Sequence, residues 1–113
     1  MKNNYRIESA GPLAVITPLA DFTVFFTREI AEDLDRLEVD GVRYVLFHLA
    51  HVNWMDSLGT GCLLKAAALA EKHGKRATLV LAGEKVRFSL RQLGLEDRFL
   101  YATSVEKARD NYL

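Results

Sequence analysis

The sequence predicts a single α/β domain over residues 1–113, with a mixed, mostly parallel sheet entered through an N-terminal hairpin and about four helices. Three observations predict it. The chain is 113 residues long and half apolar, enough for one hydrophobic core but not two. Its apolar pattern switches repeatedly between strand period and helix period, as it does when strands alternate with helices. Its middle carries Tyr44-Val45-Leu46-Phe47-His48-Leu49, a nearly unbroken apolar run of the kind found in a strand covered on both faces.

Residues 5–8 and 13–17 are β-prone runs separated by Ala10-Gly11-Pro12, and read as two arms of an antiparallel hairpin. Over residues 22–38, Phe26, Ile30, Leu34 and Leu37 recur at helical spacing, while Glu29, Glu32, Asp33, Asp35 and Arg36 fill the opposite face. Asp21 or Thr23 can cap the first amides of that helix, and Gly41 can supply the left-handed residue beyond its end. After the central strand and a loop over residues 50–55, residues 57–73 carry Leu58, Cys62, Leu69 and three consecutive alanines, and stop at Gly74. This is a second helix, whose alanines permit close packing on the sheet. Residues 77–82 read as another buried strand. Residues 84–93 read as a third helix with Val86, Leu90 and Leu93 inward and Gly94 after it. Thr103 and Glu106 have capping-box spacing for a last short helix reaching about Tyr112.

The charge balance narrows the function. Fifteen basic and fifteen acidic side chains cancel, so the chain lacks the overall basic field of a nucleic-acid binder. Residues 1–56 hold 5 basic and 9 acidic side chains and residues 57–113 hold 10 and 6. Solvated helix faces and cations near helix ends account for most of that asymmetry. No run approaches the roughly 18 apolar residues of a membrane span, and the first residues lack the apolar stretch of a secretory signal. Cys62 is the only cysteine, which excludes an intrachain disulfide or a thiolate metal cluster and fits a reducing, cytoplasmic location.

In open α/β sheets, sites form in the loops beyond the carboxyl ends of strands. Asn53-Trp54-Met55-Asp56-Ser57-Leu58-Gly59-Thr60-Gly61 occupies that place. Asp56 and Ser57 are both helix-capping types, and Gly59 and Gly61 give up about 1 kcal/mol of helix propensity each relative to Ala. One account is purely structural, with Asp56 or Ser57 capping the helix and the glycines allowing the backbone to approach a neighbouring segment. The other is a serine displayed at a helix N-terminus, where a phosphate is tolerated by its own protein and repels a partner matched to a neutral hydroxyl.

The loop, as Trp54-Met55-Asp56-Ser57-Leu58-Gly59-Thr60-Gly61, resembles that of the STAS domains, and within them the bacterial anti-sigma-factor antagonists. The similarity extends to the buried strand ahead of the loop, to Gly74, to the strand over residues 78–81, and to Leu93-Gly94-Leu95 followed by Phe99. Asp21, in Ile16-Thr17-Pro18-Leu19-Ala20-Asp21, looks like the aspartate of an early family segment. The resemblance implies a protein-binding switch without a cofactor of its own. Such a switch binds a serine-kinase anti-sigma factor, is inactivated when that kinase phosphorylates Ser57, and is restored by a serine phosphatase. Carried over by position, Ser57 is the phospho-acceptor, Asp56 its charged neighbour, and Asp21 part of the same rim. Loop position adds Met55, Leu58, Gly59 and Thr60 to the expected contact surface. Two residues depart from the family pattern. Leu58 replaces a second hydroxyl residue, and Pro18 stands where glycine is usual, so the chain can neither take positive φ nor donate an amide there. The alternative within the same family is a regulatory or assembly subunit of a membrane transporter, or a signalling scaffold, docking constitutively without phosphate turnover.

Other classes fit less well. A phospho-accepting receiver would need a pair of acids near its first strand for Mg²⁺, and Glu8 is alone there. A serine hydrolase would need a base such as His48 or His51 in reach of Ser57 and the flanking glycines of a nucleophile elbow. Met55 and Gly59 flank the position instead. The two histidines are expected in hydrogen-bonded structural roles, and Cys62, one turn after Leu58 on the same helical face, in the core. Nucleic acid and direct membrane insertion are not expected.

Overall fold

The computed structural model describes residues 4–21 and 24–110, the side chains of residues 24–26 excepted. The chain runs β1 (Tyr5–Ala10), β2 (Leu13–Pro18), α1 (Val24–Val39), β3 (Tyr44–His48), α2 (Ser57–Glu71), β4 (Ala77–Val80) and α3 (Glu84–Gln92). A one-turn 3-10 helix (Glu96–Arg98), β5 (Phe99–Ala102) and α4 (Val105–Asp110) complete it. β1 and β2 pair antiparallel, with Tyr5 opposite Pro18 and Ala10 opposite Leu13. The turn joining them needs a left-handed residue, and Gly11 supplies it at φ 59° with no Cβ to clash. The remaining neighbours are parallel, so the strand order follows the chain and β3 is the middle strand.

Each parallel connection steps the same way across the sheet, and right-handed crossovers then place α1, α2 and α3 on one face. The main core lies there: Ile16, Val45, Phe47 and Leu79 from the sheet meet Ile30 and Leu34 of α1, Leu63 and Ala66 of α2, and Leu90 of α3, all at most 1% exposed. Val15, Leu46 and Val80 point to the opposite face, where Ala108 of α4 covers them. This two-sided burial explains the unbroken apolar run of β3.

Several local expectations need correction. Asp33, assigned to the outer face of α1, is buried; it accepts a hydrogen bond from Tyr5 Oη at 2.5 Å and one from Arg36. Burial of Tyr5, the largest influence on it, pushes its phenol above the ordinary value. Leu93 is 60% exposed rather than inward, because α3 ends at Gln92 and the chain turns through Gly94 at φ 71°. The last helix is capped one residue later than the Thr103 spacing indicates, since Ser104 Oγ accepts from the Lys107 amide at 3.1 Å. Thr23, the Phe26 side chain and Tyr112 lie outside the described residues.

Candidate functional site

Two buried residues, Leu49 and Val52, anchor the loop between β3 and α2. The Leu49 amide donates to the Val80 carbonyl at 2.9 Å and the Val52 amide to the Leu49 carbonyl at 3.0 Å. Asp56 then leaves the loop in an extended conformation, and its Oδ1 accepts from the amides of Leu58 at 3.0 Å and Gly59 at 2.9 Å. Asp56 is therefore the N-cap of α2 and Ser57 its first helical residue. The Asp56 carbonyl takes the Thr60 amide and the Thr60 hydroxyl. Three successive positions, 58 to 60, are thus tied to Asp56, and Ser57 stands exposed beside them with no partner for its hydroxyl among the described residues.

Asp21 comes to this loop from the turn after β2. Its Oδ1 accepts from the amides of Asn53 at 2.9 Å and Trp54 at 3.2 Å. One carboxylate straps the loop's approach and the other caps its exit. The substitution at Pro18 does not prevent this, because Pro18 is the last residue of β2, paired with Tyr5.

The other expected contact residues divide. Leu58 is 50% exposed. It is not buried as Cys62 is but sits on the lip of an open groove of about 600 Å³ between α1 and α2, lined also by Thr27, Arg28, Ala31, Gly61 and Cys62 itself. Met55 and Thr60 are buried at 5% and 7%, and Gly59 is buried too. These three shape the loop from beneath and present little surface. Gly61 has open space where a Cβ would stand, so close approach to a described neighbour does not explain it.

Cys62 donates its thiol to the Thr27 carbonyl at 3.1 Å, and burial pushes its pKa up to about 11, which leaves almost no thiolate at neutral pH. His51 is exposed and His48 is partly buried. The hydrogen-bonded role expected of His48 is not met at Nδ1, which is buried without a partner among the described residues. Among those residues no group of three His, Cys, Asp or Glu side chains is placed to hold a metal, and no helix is long and apolar enough to cross a membrane.

One surface residue escaped the sequence reading. Phe88 on α3 is 52% exposed and lines a cleft of about 390 Å³ with Trp54, itself 52% exposed, and with Glu84, Lys85 and Ser89. Its signal was present: Phe88 falls midway between the buried Val86 and Leu90, out of phase with their stripe.

Fold and loop together define a small α/β domain, its exposed serine held at the carboxyl rim of the sheet. The chain belongs to the STAS domain family, whose profile matches residues 5–108. Among curated proteins no sequence match is found. Solved structures share the fold at low identity. A candidate anti-sigma factor antagonist from Thermotoga maritima superposes with a TM-score of 0.84 at 14% identity, over 96% of this chain and 94% of that one. The anti-sigma factor antagonist SpoIIAA in its unphosphorylated form gives 0.83 at 19% identity, over 96% and 95%, and Bacillus SpoIIAA in its phosphorylated form gives 0.78 at 18%, over 96% and 99%. A sulfate transporter family protein from Wolinella succinogenes gives 0.68 at 18%, over 88% and 85%.

Proposed function

We propose that this STAS domain is an anti-sigma-factor antagonist that binds a serine-kinase anti-sigma factor and is switched off when that kinase phosphorylates Ser57, a serine phosphatase reversing the step. It works in the cytoplasm and needs no cofactor of its own, because the kinase holds the ATP. The observation that carries this reading is the exposed Ser57 hydroxyl on a first helical turn whose Leu58 and Gly59 amides are already taken by Asp56. A phosphate there finds those donors occupied and stays at the surface, adding about −1.5 to −2 charge beside the Asp56 carboxylate. The N-terminal end of α2 offsets part of that charge for the domain itself. A partner fitted to the neutral hydroxyl gains no such offset and is repelled. Phosphorylated and unphosphorylated forms of SpoIIAA, a neighbour in fold, agree with a switch that leaves the fold in place.

The transporter-type neighbour favours a second reading in which the same rim docks constitutively. Binding of the partner kinase by Ser57→Asp and Ser57→Ala separates the two. Ser57→Asp is expected to bind about tenfold or more weakly, since like charges across an interface are strongly unfavourable, while Ser57→Ala binds as the wild type does and takes no phosphate. Equal affinities would remove electrostatic gating and leave constitutive docking.

A further inference from the structure

The phospho-switch makes no use of the cleft beside it. On α3, Val86 and Leu90 are inside at 1% and 0% exposure, whereas Phe88 is 52% exposed, and a helix closing on a sheet needs no phenylalanine on its outer face. Trp54 lies three residues before Ser57, so this loop brings an aromatic anchor and the phospho-acceptor onto one surface. The rim of the Trp54–Phe88 cleft carries one acid and one base, Glu84 and Lys85, and Glu84 is drawn toward Arg91 at 3.8 Å. Aromatic walls and a near-neutral mouth suit an uncharged apolar side chain. Around Ser57 the surface is polar instead: Asp56 adjoins it and Asp21 straps the same loop, each carboxylate accepting from two backbone amides.

Resting on the reading above, we propose that the kinase engages this chain at two adjoining subsites, a surface fitted to the neutral Ser57 hydroxyl and an apolar side chain seated between Trp54 and Phe88. A kinase that phosphorylates Ser57 must close over this loop, and Trp54 stands only three residues before that serine. A second copy of this chain matches the loop poorly, since a two-fold contact here sets Asp21 and Asp56 of one copy near those of the other. Buried aromatic anchors dominate binding at protein interfaces, so the cleft sets affinity and orientation while Ser57 carries the switch. A phosphate at Ser57 leaves the walls of the cleft unchanged, and the two subsites are therefore separable by mutation.

The test follows Ser57 phosphorylation by intact mass, using the purified full chain and ATP in an extract of its native host across a range of chain concentrations. Phe88→Ser and Trp54→Ala are each expected to raise the half-saturating concentration about tenfold or more, with the saturated rate and the thermal midpoint near wild type. Phe88→Leu should restore most of the loss. Unchanged half-saturation in both variants, with the wild type phosphorylated at Ser57, overturns the apolar subsite and leaves the phospho-switch standing. A wild-type chain that takes no phosphate overturns both.

Discussion

At the head of α2, Asp56 Oδ1 serves two amides at once, so Asp56→Ala leaves both without their acceptor. The variant is expected to lose about 1 kcal/mol, a fall of about 4–8 °C in thermal midpoint, and Asp56→Ser should recover much of it. Asp21 acts differently, because its two acceptor contacts hold a loop rather than a helix. Asp21→Ala should accelerate hydrogen exchange at the Asn53 and Trp54 amides while the β3 amides keep their protection; unchanged exchange at those two amides would contradict the strap. Leu81 adopts φ 57° on an exposed turn after β4, a left-handed conformation that costs a branched side chain about 1–2 kcal/mol. Leu81→Asn, a residue that tolerates this region, is expected to raise the thermal midpoint by a few degrees. Sequence located the loop and its serine but left the cap open between Asp56 and Ser57, since both are capping types. It also placed Met55 and Thr60 outside, because an irregular loop has no period from which side-chain direction can be read.

Elements with a strong period were the most legible. The continuous run of β3 marked the middle strand, and the stripe of Ile30 and Leu34 marked the buried face of α1. Asp33 broke that pattern because a buried partner, Tyr5 of β1, repays its desolvation with a hydrogen bond that no single-segment pattern contains. Ends were less legible, as Leu93 and the Ser104 cap show. Contacts between elements distant in sequence were not legible at all. Arg98, just before β5, donates to both oxygens of Glu71 at the end of α2, at 3.1 and 2.7 Å. This pairing holds the Glu71 carboxyl below its ordinary value. A carboxyl depressed by folding stabilises the fold above its unfolded pKa, and that contribution is lost as pH falls through the folded value. Both side chains are about two-fifths exposed, which limits the pair to a few tenths of a kcal/mol. Arg98→Ala is therefore expected to lower the thermal midpoint by about 1–2 °C at pH 7, with the gap to wild type closing as pH drops below about 4.

Across the whole molecule, an unbroken strand order puts the turn after β2 beside the loop after β3, and this adjacency lets Asp21 reach Asn53 and Trp54. The same order sets α3 on the other side of the loop, where Phe88 and Trp54 line one cleft. Rigid support comes from the core beneath: Phe47 is fully buried in the middle strand, and Phe47→Ala should cost about 3–5 kcal/mol, a large share of a small domain's stability. Ser57, by contrast, is exposed and bears none of this packing, so a phosphate there should alter recognition and leave the fold intact. The most direct measurement is the intact mass of the protein recovered from its native host, before and after phosphatase treatment, with Ser57→Ala alongside. A single phosphatase-sensitive phosphate increment that disappears in Ser57→Ala is the predicted result; its absence across growth and stress conditions, or its persistence in Ser57→Ala, would contradict the switch.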